Sequence, residues 1–289
     1  MRSYIPEKKN LFIFGGYPEV FHTDDTYLIV GNKFTFFRID MSFIENIFSI
    51  YYIPEWLMDI FINKEINIFY LDERGNFDSS IIRYERKPPS KEILKDDLSF
   101  RLLKYKANLI DKIFDTTEGK NLLDYSQSYI RSLSTLNKHL DFLPKVYLMD
   151  TLKLRYKLTN VRAKEISETL MNLIDNIIPL AFYSKFKSFG IDPDNGFLNS
   201  DFPSLTRDLT EIPRLKFKSK LIYLFKTYFF EAKDLSRKNF PDTTFKFLKK
   251  LSTYFFYGNR FKRTKEVYYF MEAYKRGNLD EIFSDLRCC

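Results

Sequence analysis

Gly190-Ile-Asp-Pro-Asp-Asn-Gly-Phe-Leu-Asn199, followed after a short gap by Ser204-Leu-Thr-Arg-Asp-Leu-Thr-Glu-Ile-Pro-Arg214, is the stretch around which this chain is organised. Gly190, Pro193, Gly196, Pro203 and Pro213 break any regular period across it, so residues 190–214 read as one long irregular segment. A loop of that length inside a helical region usually carries function. Both flanks are helical in period. Apolar residues recur three and four apart over residues 98–114, 121–140, 143–159 and 166–189 before it. The same spacing returns over 216–235, 243–256 and 265–274, with a last short helix near Leu279.

Further out, toward the N-terminus, the period becomes strand-like. Leu11-Phe-Ile-Phe14 ends at Gly15-Gly16, Tyr27-Leu-Ile-Val30 ends at Gly31-Asn32, and Lys33-Phe-Thr-Phe-Phe-Arg-Ile39 follows. Residues 42–50 read as a short connection into another strand. Pro54-Glu-Trp-Leu-Met-Asp-Ile-Phe-Ile62 has an early Pro and helical spacing, and Ile66-Asn-Ile-Phe-Tyr-Leu71 is a strand. Asp72-Glu-Arg-Gly-Asn76 is a turn into a final strand over residues 77–83. The charged segment 85–91, with Pro88-Pro89 inside it, marks a boundary. The prediction is an α+β chain: a small β-rich domain over residues 1–86 and a larger all-α domain over 92–289.

Forty-six Lys and Arg against 38 Asp and Glu leave a formal charge of +8, which favours polyanionic partners. The 31 Phe and 20 Tyr follow from AT-rich coding and assign no function. No stretch approaches the ~20 apolar residues of a membrane span, and residues 1–10 lack a secretory apolar core, so a cytoplasmic protein with no membrane partner is expected. The two cysteines, Cys288 and Cys289, are adjacent, which excludes a disulfide framework and a cysteine metal site. His22 and His139 lie in different predicted domains, no GK[ST] follows Gly15-Gly16, and no Ser-His-Asp triad assembles.

The chemistry concentrates in residues 199–214. If a helix begins near Leu205, Asp208 and Glu211 share a face at i and i+3, a pairing that can hold a hard divalent cation beside Arg207 and Arg214. The competing reading is an acidic first turn that stabilises a helix N-terminus. The basic, aromatic run Tyr254-Phe-Phe-Tyr-Gly-Asn-Arg-Phe-Lys-Arg263 reads as a helix end with a polar turn, or as a DNA or partner contact.

These motifs, in this order, resemble the CRISPR spacer-acquisition integrase family, the larger DNA-integrating subunit of the adaptation complex. Residues 43–77 are similar to the end of the family's β-domain. Residues 190–199 are similar to its GLDPxxGFLH pattern, and residues 204–214 to its SLxxDLxExFR pattern. The resemblance runs from about Leu11 to Phe256. It implies a metal site built from a Glu on an earlier helix, the His closing GFLH, and an acidic residue of the DLxE segment. Here the His position holds Asn199, and the earlier helix offers only Asp150 near the expected Glu, while Asp208 and Glu211 are kept.

The resemblance therefore implies a divergent member with an eroded site made of Asp150, Asn199, Asp208 and Glu211. It would bind Mg²⁺ or Mn²⁺ if functional, and no cofactor otherwise. Implied partners are double-stranded or branched DNA, a second copy through the β-domain, a small ferredoxin-like adaptation subunit and an active paralogue. Lys153, Arg155, Lys157, Arg162, Arg207, Arg214, Lys216 and Lys218 are the candidates for gripping DNA phosphates. Two alternatives stand beside this reading: an active metal-dependent endonuclease and integrase that inserts spacers by 3′-hydroxyl attack, and a helical interaction module that binds no DNA.

Overall fold

The computed structural model describes residues 9–13, 19–22, 26–32, 35–82, 95–129, 133–227, 230–240, 243–244, 246–248 and 262–277. The N-terminal part contains two sheets. β1 (Lys9–Ile13), β5 (Ile44–Ser49), β6 (Asn67–Leu71) and β7 (Phe77–Ile81) form the first, in the order β1-β5-β6-β7. β1, β5 and β6 run parallel, and β7 returns antiparallel to β6. The second is an antiparallel meander of β2 (Glu19–His22), β3 (Tyr27–Asn32) and β4 (Thr35–Asp40). β2 has no counterpart in the sequence reading, since its four residues carry no run of apolar alternation.

β5 and β6 are joined by α1 (Glu55–Asn63), which makes a parallel β-α-β unit. The two central strands are buried on both faces, as parallel strands covered on both sides must be. Alternation sorts their side chains. Ile47, Ile68 and Tyr70 pack with Leu28, Met41, Leu57 and Phe61 in one core. Phe48, Phe69 and Leu71 face the other way and join the core of the helical region.

That helical region contains α2 (Lys95–Phe114), α3 (Glu118–Tyr129), α4 (Leu133–Tyr156), α5 (Asn160–Ser188), α6 (Ser204–Leu209), α7 (Glu211–Lys226) and α8 (Lys262–Arg276). A break expected near residue 140 is absent, because α4 runs straight through the buried Pro144. Proline costs an interior helix about 3 kcal/mol, so the packing of Leu136, Leu140, Leu148 and Leu152 outweighs local preference. The predicted segment 121–140 is instead divided between α3 and α4. The helix expected to reach residue 235 ends at Lys226, and a separate 3-10 turn covers Ala232–Leu235.

α5 is the backbone of the molecule, capped by Thr159, whose side chain accepts from the Arg162 backbone N–H. It lies against the sheet. Asn46 donates to the Ala181 carbonyl and Asn67 to the Ser184 hydroxyl, while Lys185 pairs with Glu45 at 3.3 Å. The β6–β7 turn reaches the same helix. Gly75 takes φ +76°, its carbonyl accepts from Asn176 at 2.7 Å, and a Cβ there would sit 2.7 Å from Leu173. The predicted boundary at residues 85–91 lies outside the described residues.

Candidate functional site

The irregular segment is shorter than its sequence suggests, because α6 begins at Ser204. What precedes it is folded tightly onto that helix. The Pro193 carbonyl accepts from the Leu205 N–H, and the Ser204 hydroxyl accepts from the Gly196 N–H and donates to the Asp194 carbonyl. A Cβ on Gly196 would come within 2.7 Å of Ser204 and 2.9 Å of the Asn199 carbonyl, so only glycine fits there.

Asp208 holds this loop together. One of its oxygens accepts from the backbone N–H groups of Phe197 (2.6 Å) and Leu198 (3.0 Å). The other accepts from the backbone N–H of Asn199 (2.9 Å) and from its side-chain amide (2.6 Å). Burial pushes the Asp208 carboxyl up to about 6, despite those hydrogen bonds to its charged form. The same burial, together with Asp208 and Asp192, pushes the Tyr274 phenol of α8 up to about 12.

Glu211 and Asp208 do not lie on one continuous helix. Thr210 separates α6 from α7, so the two carboxylates leave different helices and meet different partners. Glu211 pairs with both Lys106 and Arg214. Lys106, on α2, also donates to Asn137 at 2.6 Å and pairs with Asp141 at 3.0 Å. Arg214 reaches Asp175 at 2.9 Å, and Lys218 bridges Asp175 (2.7 Å) and Asp141 (3.2 Å). Lys106, Arg214 and Lys218 are 0%, 4% and 2% exposed, respectively. Burial alone would push the Asp141 carboxyl up, but Lys106, Lys218 and Arg214 outweigh it and hold the group well below the usual range. Asp175 is also held low against its burial, by Lys218 and Arg214. Those carboxylates in turn hold Arg214 and Lys218 firmly charged against their own burial.

The chain of contacts closes on Asn199, whose side-chain oxygen accepts from Asn137 at 3.3 Å. Asn137 is therefore the α4 residue that faces the Asn199 position. Asp150 stands thirteen residues further along the same helix, about 20 Å away at 1.5 Å per residue, half exposed and paired with Lys153 at 2.6 Å. The structure thus joins Asn199 directly to Asp208, links Glu211 to it through Lys106 and Asn137, and does not bring Asp150 to them. Beside the cluster a pocket of about 290 Å³ opens to solvent, lined among others by Ser134, Asn137, Asp141, Asp175, Asn199 and Arg207.

Lys106, Asn137, Asp141 and Asp175 escaped the sequence reading. A signal existed for the lysine. Leu102, Leu103, Ala107 and Ile110 define the buried stripe of α2, and Lys106 falls on it.

The residues present do not fit a divalent metal. Of the implied ligands near one another, Asn199 is a carboxamide, Asp208 is taken up by the loop's N–H groups, and Glu211 is already paired with two cations. Three buried cations (Lys106, Arg214, Lys218) balance three carboxylates (Asp141, Asp175, Glu211), so an added divalent ion would leave a net +2 in the cluster. Among the described residues, no three or more His, Cys, Asp or Glu side chains are grouped to hold a metal.

The basic candidates divide in two. Arg214 and Lys218 belong to the buried cluster, and Arg207 is held by the carbonyls of Phe202 and Asp175 and by the Asn176 side chain. Arg162 spans the Leu235 carbonyl and Glu165. Arg155 and Lys157 are exposed at the end of α4 beside the half-buried Lys153, and Lys216 is half buried on α7. His139 is exposed on α4. Residues 254–261 of the basic, aromatic run and both terminal cysteines lie outside the described residues.

This β-domain, these helices and this loop together match the fold of solved Cas1 structures. Among solved structures, the chain superposes on one from a Cas6-RT-Cas1–Cas2 complex with a TM-score of 0.68 at 12% identity, matching 96% of this chain and 36% of that one. It spans about a third of that protein's length. A CAS1 protein from Thermotoga maritima matches with a TM-score of 0.63 at 12% identity, covering 96% of this chain and 97% of the other. A casposase bound to integration product matches at 0.52 and 16% identity, covering 78% of this chain and 75% of the other. No family model and no curated protein sequence matches the chain. The fold is Cas1-like. Among the described residues no helix is long and apolar enough to cross a membrane.

Proposed function

We propose that this protein is a CRISPR-adaptation subunit of the Cas1 type that binds DNA and partner subunits without carrying out strand transfer itself. The observation that carries the reading is the Lys106 ammonium, which pairs with Glu211, one of the implied metal ligands, and is seated against Asn137 and Asp141. A site that holds a protein cation has no open coordination position with which to polarise a phosphate. The loop, meanwhile, keeps its full hydrogen-bond pattern through Asp208, as expected where shape is retained and chemistry is not.

In this role the exposed cations at the end of α4, Arg155 and Lys157, with the half-buried Lys153 beside them, meet the duplex backbone as positioning contacts. The partners are branched or double-stranded DNA, a second copy, a small adaptation subunit and an active paralogue that supplies the chemistry. The solved complex that contains both Cas1 and Cas2 supports the choice of such partners.

The test is a single assay. The purified chain is mixed with a labelled branched duplex and Mn²⁺, and both binding and strand transfer are scored, with Asp208→Ala as control. Binding that falls steeply with salt and yields no joined product is the expected result. Strand transfer that disappears in the control overturns the reading. Absence of binding at moderate salt points to a protein-interaction module instead.

A further inference from the structure

The buried cluster contains a lysine that has no structural reason to be there as a packing residue. Lys106 lies on the apolar stripe of α2, fully buried between Leu102, Leu103, Ala107 and Ile110. An isolated ammonium in that position is costly and normally loses its charge. Here every direction open to its three protons meets an oxygen: Asn137 at 2.6 Å, Asp141 at 3.0 Å, and Glu211. Those three oxygens come from α4, again α4 and α7, so the ammonium ties three helices to one point. Single-point ligation of oxygens from separate helices is the task of a hard cation, which an ammonium performs with hydrogen bonds in place of coordination.

We infer that Lys106 is a built-in cation that replaces a divalent metal as the organising centre of this site, so that the helices and the residue 190–199 loop are held without metal. The charge balance follows directly. Lys106, Arg214 and Lys218 neutralise Asp141, Asp175 and Glu211, and Asn137 passes the arrangement on to Asn199 through its side-chain amide. Removing the lysine leaves three carboxylates against two cations, an open charge deficit shaped like a cation site. The inference rests on the same Lys106 contacts as the proposal that the site is silent, but not on DNA binding, so the binding assay and the Mn²⁺ test can fail separately.

The experiment compares wild type and Lys106→Ala in Mn²⁺ and in EDTA. Wild type is expected to melt at the same temperature in both and to leave the electron paramagnetic resonance spectrum of free Mn²⁺ unchanged. Lys106→Ala is expected to melt roughly 5–15 °C lower in EDTA, as loss of one member of a buried ion cluster implies for a chain of this size. Mn²⁺, or methylammonium at high concentration, is expected to recover part of that loss. Wild type that takes up Mn²⁺ and is stabilised by it would overturn the inference, as would Lys106→Ala that melts like wild type or that no cation rescues. If Lys106→Ala does not fold, the wild-type Mn²⁺ spectrum still decides. So does the pair Lys106→Met and Lys106→Met/Glu211→Gln, in which restored charge balance must make the double variant the more stable.

Discussion

Two sets of cations lie in the same helical region and differ in everything but charge. Lys106, Arg214 and Lys218 sit at the centre of the helical region, each touching two or more acceptors. Arg155 and Lys157 sit at the end of α4, exposed to water. The sequence reading placed Arg214 and Lys218 with the surface group as candidate DNA contacts, and the structure separates them. An inward cation is fixed by the carboxylates around it, and its charge is spent inside the molecule. An outward cation keeps its charge available to a polyanion.

The largest effect expected from this contrast comes from breaking the inner set. Arg214→Met removes the second partner of Glu211 and one partner of Asp175 while keeping most of the volume. Stranding buried carboxylates in this way costs about 3–5 kcal/mol, so urea denaturation should show a markedly lower midpoint. A change below about 1 kcal/mol would mean that the cluster is wetter and looser than its burial indicates.

A smaller loss is expected from Asp208→Asn. The substitution keeps the shape but turns an amide NH₂ toward backbone N–H groups that now donate to a carboxylate. An unsatisfied buried donor costs about 1–3 kcal/mol, and proteolysis within residues 190–203 is the sensitive readout. Unchanged protection would show that Gly196 and Ser204 hold the loop without Asp208.

Acid separates the two kinds of carboxyl. Asp208 titrates near 6 in the folded chain against an ordinary 3.8, so between those values the folded state holds a proton that the unfolded state does not. Its contribution to stability therefore grows as pH falls through 6. Asp141 and Asp175 titrate below 3.8 when folded, so their contribution is present above 3.8 and is lost as pH falls below it. The melting temperature should thus rise slightly from neutral pH toward 5 and collapse below 3.8, and Asp208→Asn should remove only the rise.

How much of this was legible follows from where each residue sits in the chain. The βαβ unit was readable because β5, α1 and β6 are adjacent and each carries its own period. The loop motif was readable because Gly196, Asn199 and Asp208 act over a few residues. The cation cluster was not, since Lys106, Asn137, Asp175 and Arg214 arrive on four different helices whose packing no local pattern encodes. Asp150 was chosen by counting along α4, and the choice missed because the turn that faces Asn199 lies earlier, where the side chain is an amide. The helical period also pauses between Leu140 and Leu143, yet α4 continues through Pro144, a residue type that usually ends a helix and is here buried inside one.

The smallest effect on stability is expected from the outer set, and it is where the contrast can be sharpened most. Lys157 ends α4 at φ +53° with its side chain exposed, so Lys157→Glu disturbs nothing buried. Its stability should stay within about 0.5 kcal/mol of wild type. DNA affinity should fall, and the slope of log affinity against log salt should shrink by about one for each phosphate that the variant no longer neutralises. Lys157→Gly is the informative companion, because glycine suits the positive φ and removes the charge without reversing its sign. If both variants weaken binding alike and neither changes the melt, the outer cations serve the ligand alone. If the melt falls while the salt slope stays fixed, Lys157 belongs functionally with Lys106, and the division between inner and outer charge is wrong at that position.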